Sequence, residues 1–176
     1  VCLSSSLDYF EDELIYQAFG RDMIIAPEIY GNPWFLRDME LPKLARVYNL
    51  HSRFSDILVN GIDLHPLYGC DSVSRGTSSH RFICTGNNTW ETRKITLKLD
   101  KSIGLDTKKE LAVILRHPYN KLLGFYSPSD EVEIQLLPFR AALIEVSEKE
   151  LADPVLLIDP DDWEGTLQLP GQEEEH

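Results

Sequence analysis

The feature that most constrains this chain is a change of hydrophobic period near residue 60. Before it, Leu44, Val47, Tyr48, His51, Phe54 and Leu58 fall on one face of a helix, while Lys43, Arg46, Arg53 and Asp56 point elsewhere. Asp38 can cap that helix, and Asn60-Gly61 closes it with a turn signal. Pro42 is tolerated in the first turn, where no intrahelical N–H bond is lost. After residue 60 the period falls to two. Ile95, Leu97 and Leu99 alternate with Lys94, Thr96, Lys98 and Asp100, the pattern of a strand with one wet face. Residues 81–85, 111–116, 122–126, 132–136 and 142–146 continue the series, with Gly86-Asn87-Asn88, His117-Pro118 and Ser127-Pro128 among the breaks. Such a run of strands and turns predicts an antiparallel β-sandwich, with a domain boundary near residue 60.

The first sixty residues carry a different rhythm. Ser4-Ser5-Ser6 followed by Asp8, Glu11, Asp12 and Glu13 predicts a helix start, the acids solvated and close to the positive end of the dipole. The helix runs through Leu14, Ile15 and Phe19 and stops at Gly20. Met23-Ile24-Ile25-Ala26 then suits a short strand buried on both faces, as in a parallel sheet or barrel. Pro27 ends it and leaves Glu28, Tyr30, Asn32 and Trp34 at its exit. Helix, buried strand and polar-aromatic loop make an α/β unit.

Charge and composition exclude several classes. No stretch approaches the roughly 18–20 apolar residues of a membrane span, so no membrane is expected. A formal net charge of −12 argues against a nucleic-acid backbone as partner, because phosphates need a basic patch. The acidity is uneven: residues 150–176 hold nine acids and no Lys or Arg. That segment reads either as a solvated tail or, through residues 155–158 and 167–169, as the opening strands of a further module. Cys2, Cys70 and Cys84 make no metal-spaced pair, and His65, His80 and His117 are scattered, so neither a metal nor another cofactor is expected. Cys84 and His51 read as core residues, and Trp90 is expected to pack on the sheet. Asn87-Asn88-Thr89 fits a glycosylation sequon in a turn.

Glu28 is the most suggestive acid, because groups at C-terminal strand ends of barrels carry binding and chemistry. The alternative reading is an exposed loop carboxylate or a partner for Arg21 or Arg37. Tyr30 and Trp34 could stack on the apolar C–H face of a sugar, or pack at a domain interface.

Residues 18–34, continuing through Leu41-Pro42-Lys43-Leu44 to His51, resemble the end of the catalytic barrel of bacterial, α-galactosidase-like glycoside hydrolases. The runs 87–100 and 136–146 are similar to the β-sandwich that follows that barrel, where a proline-containing segment leads into the last strand. The resemblance implies a mainly β chain, an antiparallel β-sandwich preceded by a helix-strand-helix remnant of a (β/α)8 barrel. Residues 1–58 would end the barrel, 59–149 form the sandwich and 150–176 the acidic tail or start of a further module. It implies glycosidic hydrolysis by two carboxyl groups without a cofactor. Those groups would come from middle strands upstream of Val1, leaving this chain inactive alone, with Glu28, Tyr30, Asn32 and Trp34 as substrate contacts. The implied partners are an oligosaccharide or glycan and the missing N-terminal catalytic barrel, and such parent enzymes are commonly exported. Two other readings stay open. One is a carbohydrate-binding sandwich gripping glycan through Tyr68, Trp90 or Tyr119, and the other a protein-interaction sandwich with no glycan role.

Overall fold

The computed structural model describes residues 10–21 and 40–152. The expected strand 23–26, the cap at Asp38 and the acidic segment from residue 153 lie outside the described residues. A helix α1 (Phe10–Ile15) continues into a π-helical turn, Tyr16–Gly20, and ends at the expected glycine. A second helix, α2 (Glu40–Phe54), follows the predicted stripe. Leu44, Val47 and Leu58 are buried, as is Leu50, which the stripe did not include.

Eight strands follow: β1 (Gly61–Asp63), β2 (Cys70–Gly76), β3 (His80–Gly86), β4 (Arg93–Lys98), β5 (Leu111–His117), β6 (Lys121–Tyr126), β7 (Glu131–Leu136) and β8 (Ala141–Glu148). All six predicted strands are present. The fold is mainly antiparallel β, a six-stranded sheet ordered β1-β2-β3-β8-β5-β6 facing a two-stranded sheet β4-β7. The last strand, β8, enters after Pro138 and inserts between β3 and β5, in register Ile83↔Ile144 and Val113↔Val146.

The burial pattern of each strand follows from its layer. β4 and β7 pair in register Ile95↔Ile134 and Leu97↔Val132, with one face dry and one wet. Their dry face meets Ile83, Leu111, Val113, Leu115, Ile144 and Val146 in the inter-sheet core. The opposite face of the large sheet, through Phe82, Cys84, Ala141 and Leu143, meets Leu14, Ile15, Ala18 and Phe19 of the first helical segment and Leu44, Val47 and Leu50 of α2. The central strands are therefore buried on both sides, and β3, β5 and nearly all of β8 have no exposed position. At about 25 cal/mol per Å2 of apolar area removed from water, these two layers are the main source of stability.

β1 and β2 carried no apolar alternation. The inward residues of β2 are Ser72 and Ser74, which are buried but satisfied: Ser72 pairs with Thr85 Oγ1 at 2.7 Å, and Ser74 Oγ donates to the Ile103 carbonyl at 2.7 Å. Arg81 spans this polar strand, donating to Ser74 Oγ at 2.9 Å, the Ser74 carbonyl at 2.8 Å and the Gly76 carbonyl at 2.6 Å. Hydrogen bonds replace hydrophobic burial here. Among the described residues, no helix is long and apolar enough to cross a membrane.

Candidate functional site

Glu28, Tyr30, Asn32 and Trp34 lie outside the described residues. What the structure brings together is a cavity of about 1300 Å3 between the first helical segment and the near ends of β2, β3 and β8. Asp12, Tyr16, Cys70, Asp71, Phe139 and Arg140 are among the residues lining it.

The wall of this cavity is built around Asp12. Its position in an acidic helix start predicted a solvated side chain, but the residue is only 7% exposed. Oδ1 accepts from His117 Nε2 at 2.5 Å and Arg140 Nη2 at 3.0 Å, and Oδ2 from Arg140 Nε at 2.9 Å and the Ala141 N–H at 2.7 Å. Both carboxylate oxygens are thus saturated, with Arg140 held as a bidentate fork. Burial acts to raise the Asp12 pKa, but the bonds and charges of His117 and Arg140 overcome it and hold the carboxyl below its usual value. Burial lowers the His117 pKa and outweighs the raising effect of Asp12. His117 is therefore neutral at pH 7, protonated on the Nε2 that donates to Asp12. The arrangement clamps α1 to the start of β8.

A second buried carboxylate sits on the same helix-facing side of the sheet. Glu145, fully buried, accepts from His80 Nε2 at 2.9 Å and Arg116 Nε at 2.6 Å, and Arg116 Nη1 donates to Asn120 at 2.9 Å. Burial raises its pKa, but His80 and Arg116 bring it below the ordinary value. The His80 ring packs 4.9 Å from Phe54 of α2. Two of the histidines that looked scattered in the sequence, His80 and His117, are thus each paired with a carboxylate, while His65 Nδ1 accepts from the Leu67 N–H at 3.2 Å. Every oxygen of the two carboxylates already accepts from a neighbouring side chain or backbone N–H, which makes these pairs structural ties.

Two other titratable groups of the cavity wall, Tyr16 and Cys70, are held away from proton transfer near neutral pH. Tyr16 is pushed up by burial and then by nearby anionic groups. The Cys70 thiol is raised by burial and by Asp71, to which it donates at 3.4 Å. Burial likewise raises Cys84, the expected core cysteine. Burial thus favours the protonated, neutral forms of Tyr16, Cys70 and Cys84. Among the described residues, no group of His, Cys, Asp and Glu could hold a metal ion.

One expectation is corrected in the loop after β3. Trp90 does not pack on the sheet: it is 87% exposed, and its ring meets Phe139 edge-to-face at 4.6 Å. Asn87, the acceptor of the sequon, is buried, with Nδ2 donating to the Glu91 carbonyl at 2.7 Å and the Leu136 carbonyl at 3.2 Å. Its Oδ1 accepts from Thr89 N–H at 3.0 Å and Thr89 Oγ1 at 2.7 Å. The amide ties down its own loop, a use no sequon pattern reveals. Of the other aromatics singled out, Tyr68 packs against the inter-sheet core and shares a 3.2 Å hydrogen bond with Ser102, while Tyr119 is exposed.

No protein-family model and no curated protein matches this chain. Solved structures do share its fold. An α-galactosidase I from Mortierella vinacea superposes with a TM-score of 0.55 at 13% identity, covering 80% of this chain and 36% of its own. A β-L-arabinopyranosidase of glycoside hydrolase family 27 from Geobacillus stearothermophilus gives 0.52 at 15% identity, covering 81% and 32%. A protein assigned as an α-N-acetylgalactosaminidase from Bacillus halodurans C-125 gives 0.57 at 11% identity, covering 81% and 31%. This chain spans about a third of the length of each, and what it shares with part of these α-galactosidase-like glycoside hydrolases is a fold.

Proposed function

We propose that this chain is the C-terminal part of a glycoside hydrolase, supplying the last barrel strand, its loop and a sandwich that buttresses a catalytic barrel. The observation that carries the reading is the shared fold: about four fifths of this chain matches a third of several glycosidases. The large sheet, covered by β4-β7 on one side and by helices on the other, supports a bracing role. The burial of Asp12 and Glu145 and their engagement by His117, Arg140, His80 and Arg116 support placing the reacting carboxyl groups elsewhere. Glu28, Tyr30, Asn32 and Trp34 are the proposed substrate contacts, and a glycan is the partner.

The chain alone is expected to release no nitrophenol from nitrophenyl α-galactosides or β-arabinopyranosides. Turnover abolished by Glu28→Gln overturns that part of the reading, because it puts a reacting group in this chain. The catalytic polypeptide encoded directly upstream is expected to lose solubility without residues 59–149. A barrel that stays soluble and active without them overturns the buttress. A second reading, a sandwich that itself grips carbohydrate, is favoured by one observation, the exposed Trp90.

A further inference from the structure

Two loops converge at one end of the sandwich, residues 87–92 after β3 and 137–140 before β8, and each presents an aromatic side chain to solvent. Trp90 is 87% exposed and Phe139 45%, with their rings at 77°. A loop that merely connects strands has no reason to hold two such rings in water, and this one is built to hold them. Asn87 is the tie, its side chain binding Glu91, Leu136 and Thr89 and its backbone N–H donating to the Arg140 carbonyl at 3.1 Å. Phe139 adopts φ +52°, a left-handed conformation that costs a bulky L-residue free energy and persists only where its surroundings impose it. Asp71, on the wall of the same cavity, is likewise at φ +49°.

We propose that the Trp90–Phe139 pair and the adjoining cavity mouth, with Asn88, Asp71 and Arg140, form a saccharide-binding site on the sandwich. The inference rests on the carbohydrate part of the proposed function and deepens it. A pyranose has one apolar C–H face and a rim of hydroxyls that both donate and accept. The site offers matching chemistry: aromatic surface beside an amide, a carboxylate and a guanidinium whose fork Asp12 already fixes. Size decides against a protein partner. Two aromatic side chains present at most about 500 Å2, well short of the roughly 1,200 Å2 total of a stable protein interface. They suit one or two sugar rings.

The test is 1H–15N spectroscopy of the full chain, whose three tryptophans (Trp34, Trp90, Trp163) give separate indole signals, with Trp90 assigned through Trp90→Phe. Methyl α-D-galactopyranoside and methyl β-L-arabinopyranoside are the probes. The expected result is a saturable shift of the Trp90 signal with at least one glycoside. Affinity should fall about tenfold in Phe139→Ala and be lost in Trp90→Ala, with thermal unfolding unchanged because both rings are exposed. Binding that shifts only Trp34, or that survives both substitutions, overturns this site while leaving the carbohydrate reading intact. No indole shift with either glycoside overturns the site, and the turnover and solubility tests then decide the enzyme reading separately. Concentration-dependent self-association relieved by Trp90→Ala, without a sugar response, overturns it in favour of protein docking.

Discussion

Asp12→Asn tests whether one carboxylate fastens the helical layer to the sandwich. The wild-type side chain accepts four hydrogen bonds, two of them from one guanidinium. The amide keeps the shape but not the charge, and its NH2 group faces donors on whichever side it lies. Arg140 then loses the carboxylate that it forks in a largely buried site, and removing one partner of such a buried pair costs about 3–5 kcal/mol. Against a total stability of about 5–15 kcal/mol this is a large fraction. The loss should also be local first. Asp12 joins α1 to His117 at the end of β5 and to Arg140-Ala141 at the start of β8, whereas the inter-sheet core does not involve it. Hydrogen exchange should therefore accelerate by about two to three orders of magnitude in 10–20 and in the α2 face, and less in β4 and β7. Arg140→Lys, which keeps the charge but loses the fork, is the milder variant, expected to cost about 1.5–3 kcal/mol. An unfolding free energy from urea titration within about 1 kcal/mol of wild type for Asp12→Asn, or equal acceleration in both cores, refutes the clamp.

The same clamp sets a pH dependence. His117 has a folded pKa below its unfolded value of about 6.5, so as pH falls the unfolded chain takes up the proton first. Stability is then lost progressively below about pH 6.5. Asp12 and Glu145 are held below their usual values, and their contributions, complete above about pH 4–4.5, are lost as pH falls through the folded values. All three slopes have one sign, so urea midpoints should decline monotonically on acidification, and His117→Gln should flatten the upper part of that decline.

Glu145→Gln leaves Arg116 and His80 buried around a neutral amide and is expected to cost about 3 kcal/mol, read from urea midpoints. Asn87→Ala removes four side-chain hydrogen bonds from the loop that carries Trp90. It should cost about 1–3 kcal/mol and broaden the Trp90 indole signal. Because the Asn87 amide is buried and engaged, mass spectrometry of the chain secreted from a glycosylating host should find Asn87 unmodified.

The strands legible in the sequence and those that were not differ in what buries them. β4 and β7 announce themselves because one face is apolar and the other charged, and β3, β5 and β8 because they are apolar runs between turns. β2 is held by Ser72, Ser74 and the long reach of Arg81, so its burial leaves no hydrophobic period to read. The clamp was hidden for a related reason. Asp12 meets His117 across 105 residues and Arg140 across 128, and local spacing carries no trace of contacts made by folding. An acid in a helix's first turn looks solvated until the sheet on which it lies is known. Trp90 shows the reverse failure, since a large aromatic beside a strand usually packs, whereas here it stands exposed on a loop tied down by Asn87 and beside the left-handed Phe139. The residues that break the local rule lie close together: the buried acid lines the cavity, and the exposed tryptophan packs on Phe139, which lines it too. Sequence reasoning fails most where a fold spends stability on something other than stability, and that coincidence is what the proposed saccharide site at this end of the sandwich would account for.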